Sequence, residues 1–437
     1  MSDPSPRTTD PGAGLPRRLL LGVEASCRGL SEGAGTLAGM LSTLAIENYR
    51  SLRRLVMPLG RVNVVTGANG TGKSSLYRAL RLLADASRNG AVAALAREGG
   101  LPSTLWAGPE NISKAVRRGE QPIQGTVRTG PLSLRMGFAS DDYGYAMDFG
   151  LPQPTLGEFR RPSAFNLDPE IKREVLWAGP FLRPASLLVE RGGGGVRIRK
   201  ADGKWHDGGH VLQPFDSMLS EFADPERAPE LLTLRERIRS WRFYDHLRTD
   251  ADAPARQVQI GTRTTILGPE GADVAAALQT IREIGPNGAL DEAIDLAFPG
   301  SKLEIRNNAG RFEIAFQQHG LLRPLSGAEL SDGTLRYLLW VAALLTPRPP
   351  ELLVLNEPET SLHPDLLPAL ANLVVTAAKE TQIIIVTHSR PFLAALQAGS
   401  DETGLDLRSA ELVKEFGATT IEGQRPLDEP PWKWPSR

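Results

Sequence analysis

The chain has 437 residues, with 50 Lys plus Arg against 51 Asp plus Glu, a formal net charge of −1 and a pI near 6.6. That balance excludes a global electrostatic pull toward nucleic acid or anionic membrane. A single cysteine, Cys27, excludes an intramolecular disulfide and a cysteine metal cluster and fits a reducing cytoplasm.

The length allows two or three average domains, or one large domain with insertions. No apolar run approaches the roughly 20 residues that span a bilayer, so a soluble, cytoplasmic protein with no membrane partner is expected. "RRLLLGV" faintly suggests a signal peptide, but the apolar run is brief and "EASCRG" follows it.

Residues 1–39 are rich in Pro, Gly, Ser and Thr without a sustained period, the composition of a disordered tail, and Met40 is a candidate alternative start. From there three short strands are expected, Thr43 to Glu47, Leu52 to Met57 and Arg61 to Thr66, followed by a helix from Lys73 with Leu76, Ala79, Leu80 and Leu83 on one face. Residues 40–90 thus form a first lobe. Residues 91–320 read as a middle region of mixed type, with strand-like "LSLRMGFA", "YAMDFG" and "ASLLVE", one helical stretch "ELLTLRERIRSW", and a hairpin of "KLEIRN" with "RFEIAFQ". Within it "WHDGGH", with His206 and His210, reads as a loop rather than a metal site, since no third ligand is near in sequence. Residues 321–437 return to alternating helices, beginning near Thr334, Pro364 and Arg390, and continuously apolar strands, "ELLVLN" and "QIIIVTH". Strands buried on both faces and alternating with helices imply a parallel sheet.

"GANGTGKS" fits G-x-x-x-x-G-K-[ST] over Gly67 to Ser74, between an apolar strand and an amphipathic helix. Gly67, Gly70 and Gly72 let backbone N–H groups close around phosphate oxygens, and the helix N-terminus adds partial positive charge. Lys73 is placed to reach the β- and γ-phosphates of a nucleotide, and the Ser74 hydroxyl to ligate Mg2+. Asn69, Thr71 and Ser75 complete the nucleotide-binding loop. A glycine-rich turn with a chance lysine is the bland alternative, and both flanks argue against it.

"LLVLNEPETSLHP" is a second element, an apolar strand ending in Asn356 and Glu357. Because successive strand residues face opposite sides, Asn356 takes the magnesium-side role and Glu357 orients or deprotonates the attacking water. Ser331 and Gly333 in "LSDGTLRYLLW" could bind an anion at a helix start, although a plain N-cap explains them as well. His388, at the end of "IIIVTH", is either a γ-phosphate contact or structural, and His363 belongs to a turn.

In this order, "ENYRSL", "GANGTGKS", "LSDGTLRYL", "LNEPETSLHP" and "VTHS" resemble the ABC-type ATPase heads of the RecF, SMC and OLD group, closest to its stand-alone predicted ATPases. The resemblance covers about residues 40 to 400. It implies an α/β P-loop NTPase fold, an ABC-ATPase-like head with a mixed β-sheet and a large mixed insertion between Walker A and signature. It also implies ATP and Mg2+ as ligands, Lys73, Glu357 and His388 as catalytic residues, and Ser74 and Asn356 at the metal. The signature, Leu330 to Gly333, would contact the γ-phosphate held by a second copy, making an ATP-dependent homodimer. Asn48, Arg50 and Ser51 match a strand-turn motif near the nucleotide in relatives. DNA is the partner the group suggests, in genome maintenance or defence.

Three departures matter. No long coiled coil separates the halves, and the roughly fifty residues after His388 are too few for the nuclease domain of OLD proteins. The third is Asn356, where such heads carry an aspartate. An amide there removes one negative charge yet keeps an oxygen that accepts a hydrogen bond. Two functions follow: an ATPase, or a nucleotide-operated switch with negligible hydrolysis that controls a partner. A transporter ATPase subunit is disfavoured by the "ENYRSL" start and the large middle region.

Overall fold

A computed structural model describes residues 39–436 apart from 89, 110–115, 117, 119–132, 153–163, 201 and 246. The expected disordered tail and Cys27 lie outside the described residues. The three N-terminal strands form, the first two slightly longer than read and the third shifted by one residue: β1 (Leu41–Tyr49), β2 (Leu52–Pro58) and β3 (Val62–Gly67). β3 leads through the glycine-rich loop into helix α1 (Lys73–Asp85), followed by short helices α2 (Ala91–Arg97) and α3 (Gly100–Thr104).

One part of the middle region extends the first hairpin. β4 (Leu134–Ser140), β5 (Tyr143–Gly150), β6 (Glu170–Ala178), β7 (Leu187–Gly192), β8 (Gly195–Arg199) and β9 (Trp205–Val211) add in turn to β1, giving an antiparallel sheet in the order β2-β1-β4-β5-β6-β7-β8-β9. The "WHDGGH" stretch, read as a loop, is therefore an edge strand. A bulge in the β8–β9 register and a positive φ of 72° at Gly209 absorb its two glycines. Among the described residues no cluster of three His, Cys, Asp or Glu able to hold a metal occurs.

After helices α4 (Met218–Glu221) and α5 (Pro229–Ser240), the chain enters a second sheet at β10 (Arg242–Tyr244). A third, small sheet is built by β11 (Gln259–Ile260), β12 (Lys302–Asn308), β13 (Arg311–Gln317) and β14 (Leu325–Ser326), with helices α6 (Val274–Ile284) and α7 (Ala289–Ala297) between the first two of these strands. The remaining elements are α8 (Asp332–Leu344), β15 (Leu352–Asn356), α9 (Leu367–Ala377), β16 (Gln382–Val386), α10 (Arg390–Thr403), β17 (Leu407–Glu415) and β18 (Ala418–Ile421).

The second sheet has the order β10-β15-β16-β3-β17-β18 and is parallel except for its last pair. Its strands are apolar on both faces because both are covered. Val62, Val64, Leu353, Leu355, Ile383 and Ile385 enter a core with α6 to α10. Their alternates Val65, Leu352, Val354, Ile384 and Val386 enter a core with α1, α5 and the antiparallel sheet. The period of two along each strand assigns each residue to its core. This mixed α/β arrangement, a largely parallel sheet with a P-loop leaving its first strand in sequence and an antiparallel sheet beside it, is that of a P-loop NTPase. Among the described residues no helix is long and apolar enough to cross a membrane.

Candidate functional site

Parallel pairing brings three motifs to one edge of the sheet. Asn356 is in register with Val386, and Val386 with Val65, two residues before the phosphate loop begins. Adjacent strands are about 4.8 Å apart, so the end of β15 lies about 10 Å across the sheet from the start of the loop.

The loop carries the backbone that the motif demands. Gly67, Gly70 and Gly72 have φ of 141°, 81° and 111°, a region that excludes most side chains. A Cβ at Gly67 would lie 2.4 Å from the Leu412 carbonyl oxygen, and one at Gly72 would lie 2.4 Å from Thr419 Oγ1, whereas at Gly70 it would meet open space. Lys73, buried to 7% exposure, donates to the Gly67 and Ala68 carbonyl oxygens at 2.6 and 3.1 Å, so the loop is folded about its own ammonium. Thr71 Oγ1 donates to Ala68 O at 2.9 Å, and Ala68, Asn69, Gly70 and Ser74 are exposed, with Ser75 partly so.

At the end of β15 the alternation argument fails in its details. Asn356 is the last strand residue, and Glu357 turns into the left-handed region at φ 48° while its N–H still bonds Val386 O at 2.7 Å. The strained backbone, not the pleat, aims Glu357. Its carboxylate Oε1 stands 3.4 Å from His388 Nδ1, so the glutamate and histidine expected from sequence meet.

Glu359, which the sequence reading passed over, is their support. It is buried to 8% exposure, and Oε1 accepts from Thr387 Oγ1 at 2.5 Å and from His388 N at 3.3 Å, while Oε2 is buried without a hydrogen-bond partner. The available signal was a second acid two residues after Glu357 in a strand-end run, which composition alone does not distinguish from a surface acid.

Ser331 and Gly333 lie elsewhere. Ser331 is the N-cap of α8, its Oγ accepting from Thr334 N at 3.1 Å, as the plain reading of that residue had it. The helix start faces the turn containing Ser361, Leu362 and His363 across a cleft of about 640 Å3. His363 caps the short 3-10 turn Pro364–Leu366, as expected. Arg50 Nη2 pairs with Glu98 Oε2 at 2.9 Å. The same carboxylate accepts from Tyr49 OH at 2.5 Å, and burial first, then Glu98, raises the Tyr49 phenol beyond its usual range. Ser51 is the member of that motif that comes near, through Thr419, whose Oγ1 contacts Ser51 Oγ at 2.8 Å and donates to Thr71 O at 2.6 Å.

The basic stretch from Arg235 to Arg242 is spent internally. Arg239 donates to Ser87 O, Arg242 to the carbonyl oxygens of Arg239, Ser240 and Trp241, and Arg235 to Phe222 O. These guanidinium groups satisfy helix C-termini.

Fold and phosphate loop together are those of a P-loop NTPase. A family profile described as "AAA ATPase domain" matches residues 40–147, from β1 through the phosphate loop. One described as "AAA domain, putative AbiEii toxin, Type IV TA system" matches residues 206–395, including the signature helix, β15 and His388. Both profiles describe AAA-type ATPase domains, and together they match most of the chain. No curated protein matches it in sequence.

Solved structures similar to it include an SMC head bound to the C-winged helix domain of ScpA, at 15% identity and a TM-score of 0.45, over 87% of this chain and 96% of that one. The SMC head domain from Thermotoga maritima is 16% identical with a TM-score of 0.40, over 87% and 98%. The Smc head domain with an extended coiled coil from Pyrococcus furiosus, bound to the C-terminal domain of ScpA, is 14% identical with a TM-score of 0.43, over 87% and 95%.

Proposed function

We propose that the protein binds ATP with Mg2+ and hydrolyses it as a homodimer of heads. The observation that carries this reading is the Glu357–His388 pair, 3.4 Å apart on the sheet edge that also bears the phosphate loop. Lys73 exchanges its loop carbonyl oxygens for β- and γ-phosphate oxygens, and the N–H groups from Asn69 to Ser75 take the remaining phosphate lone pairs. Glu357 accepts a proton from water as its oxygen attacks the γ-phosphorus and ADP leaves, and His388 donates to the γ-phosphate oxygens.

Ser74 and Asn356 are the residues that would hold the cation. They offer a hydroxyl oxygen in the first turn of α1 and an amide oxygen at the end of β15, donors that suit a hard divalent ion. Bound there, Mg2+ would neutralise charge on the phosphates. In a second copy the cleft beside Ser331 and Gly333 faces the γ-phosphate, so closure completes two sites at once.

In this reading residues 91–320 supply specificity to a cytoplasmic head built from 40–90 and 321–437. DNA as its target rests on the family resemblance alone, and a DNA affinity that rises with ATP and falls with salt would support it. The second reading, a nucleotide switch that controls a partner protein with negligible turnover, is favoured by Asn356, which leaves the metal one carboxylate short.

Steady-state ATP hydrolysis with Lys73→Ala as control, together with sizing chromatography of Glu357→Gln in ATP, separates them. Turnover lost in Lys73→Ala and an ATP-trapped dimer in Glu357→Gln support the ATPase. ATP binding without turnover in the native chain moves the assignment to the switch, and absence of any ATP-driven dimer overturns both.

A further inference from the structure

Between β10 and β11 the chain runs through "RTDADAPAR", a stretch outside every recognised nucleotide motif. Its last residue, Arg256, has a side chain exposed to only 7%, yet it faces the signature loop rather than a core. Nη1 donates to Leu330 O at 2.6 Å and to Gly327 O at 3.2 Å, and Nη2 to Asp332 Oδ1 at 2.5 Å. The rear of the guanidinium is fixed by Thr249, whose carbonyl oxygen accepts from Nε at 3.0 Å and Nη2 at 2.7 Å. Thr249 is itself buried to 4%, and its hydroxyl accepts from Arg336 of α8 at 3.2 Å.

One planar fork therefore grips the residues on both sides of Ser331 while leaving Ser331 exposed toward the cleft. Only arginine presents donors in two directions from a rigid plane, and a lysine at this place could serve one arm at a time. The grip also has an origin. The segment begins at β10, which pairs in parallel with β15 at Leu353 to Leu355, just before Asn356 and Glu357. A strut thus runs from beside the hydrolytic strand of one head to the loop that meets the other head's nucleotide.

We infer that Arg256 is a positioning residue for the composite site: it holds Leu330 to Asp332 in the conformation in which Ser331 meets the γ-phosphate bound by a second copy. The inference rests on the dimeric reading above, and it predicts a defect that acts in trans.

The test uses the full chain carrying Arg256→Ala or Arg256→Lys, alone and mixed with Lys73→Ala. Binding of a fluorescent ATP analogue to Arg256→Ala is expected to match the native chain, while hydrolysis falls by about tenfold or more and, in a Glu357→Gln background, the ATP-driven dimer is lost. Arg256→Lys is expected to fold normally and remain impaired, which carries the test should the alanine variant not fold. An equimolar mixture of Arg256→Ala with Lys73→Ala is expected to recover roughly a quarter of native activity, since half the dimers are mixed and each of these has one complete site.

Hydrolysis by Arg256→Ala close to native, loss of its ATP binding, or a mixture that stays inactive each overturns the inference. Native chain that never dimerises with ATP overturns the functional reading itself, and the two failures are distinguished by that control.

Discussion

Thr419 Oγ1 donates to the carbonyl oxygen of Thr71 at 2.6 Å, joining β18 to the phosphate loop across 348 positions of sequence. Thr419 is 1% exposed, its N–H donates to Ser51 O at 2.8 Å, and its hydroxyl also meets Ser51 Oγ. The loop, the N-terminal hairpin and the C-terminal hairpin thus share one buried hydroxyl. Replacement by valine keeps the shape and strands the Thr71 carbonyl, at a cost of about 1–3 kcal/mol. Thr419→Val is expected to lower stability by that amount in urea denaturation and to weaken ATP binding. Unchanged ATP affinity would show that the loop does not depend on this brace.

Glu359 offers a sharper discrimination. Both groups bonded to Oε1, the Thr387 hydroxyl and the His388 N–H, need an acceptor rather than a charge. Glu359→Ala is expected to cost about 1–3 kcal/mol of stability and to reduce kcat, whereas Glu359→Gln restores most of the stability. A glutamine variant as unstable as alanine would mean that the negative charge itself is required.

Asn356 sets the metal requirement in the proposed site. Two unit charges 4 Å apart near a protein surface attract by about 4 kcal/mol before desolvation, so a carboxylate at this place changes metal affinity appreciably. Asn356→Asp is expected to lower the Mg2+ concentration for half-maximal hydrolysis by about tenfold. No change in that concentration would remove Asn356 from the metal's surroundings.

The approach to the signature helix titrates. Hydrogen bonding to Arg323, followed by bonds from the Ser326 N–H and hydroxyl, lowers the Glu329 carboxyl from 4.5 to about 2. A depressed folded-state pKa contributes stability above the unfolded value, and that contribution is lost as pH falls through the folded one. The Ser326–Glu329 turn is therefore expected to hold at pH 5 and to open between about pH 4 and pH 2, followed by the Ser326 amide signal in NMR. The same titration in Glu329→Gln should be flat across that range.

Local pattern made much of this protein legible in sequence. "GANGTGKS" announces itself because a phosphate loop needs glycines, a lysine and a helix start within eight consecutive residues, and the apolar runs ending at Asn356 and Val386 announce strands buried on both faces. Each is a short-range requirement, written where it acts.

What brings those motifs together, and what holds them, is long-range. Parallel register put Asn356, Val386 and Val65 in one row. The left-handed turn at Glu357, not strand alternation, turned its carboxylate to His388. Thr419 reached Thr71 and Arg256 reached Leu330 through backbone carbonyls, which every residue possesses, so no side-chain pattern marks the recipient. Sequence determined which groups could do chemistry, because their identities are side chains. Tertiary structure decided which groups meet, because hydrogen bonds to carbonyl oxygens and strand register depend on where the backbone passes.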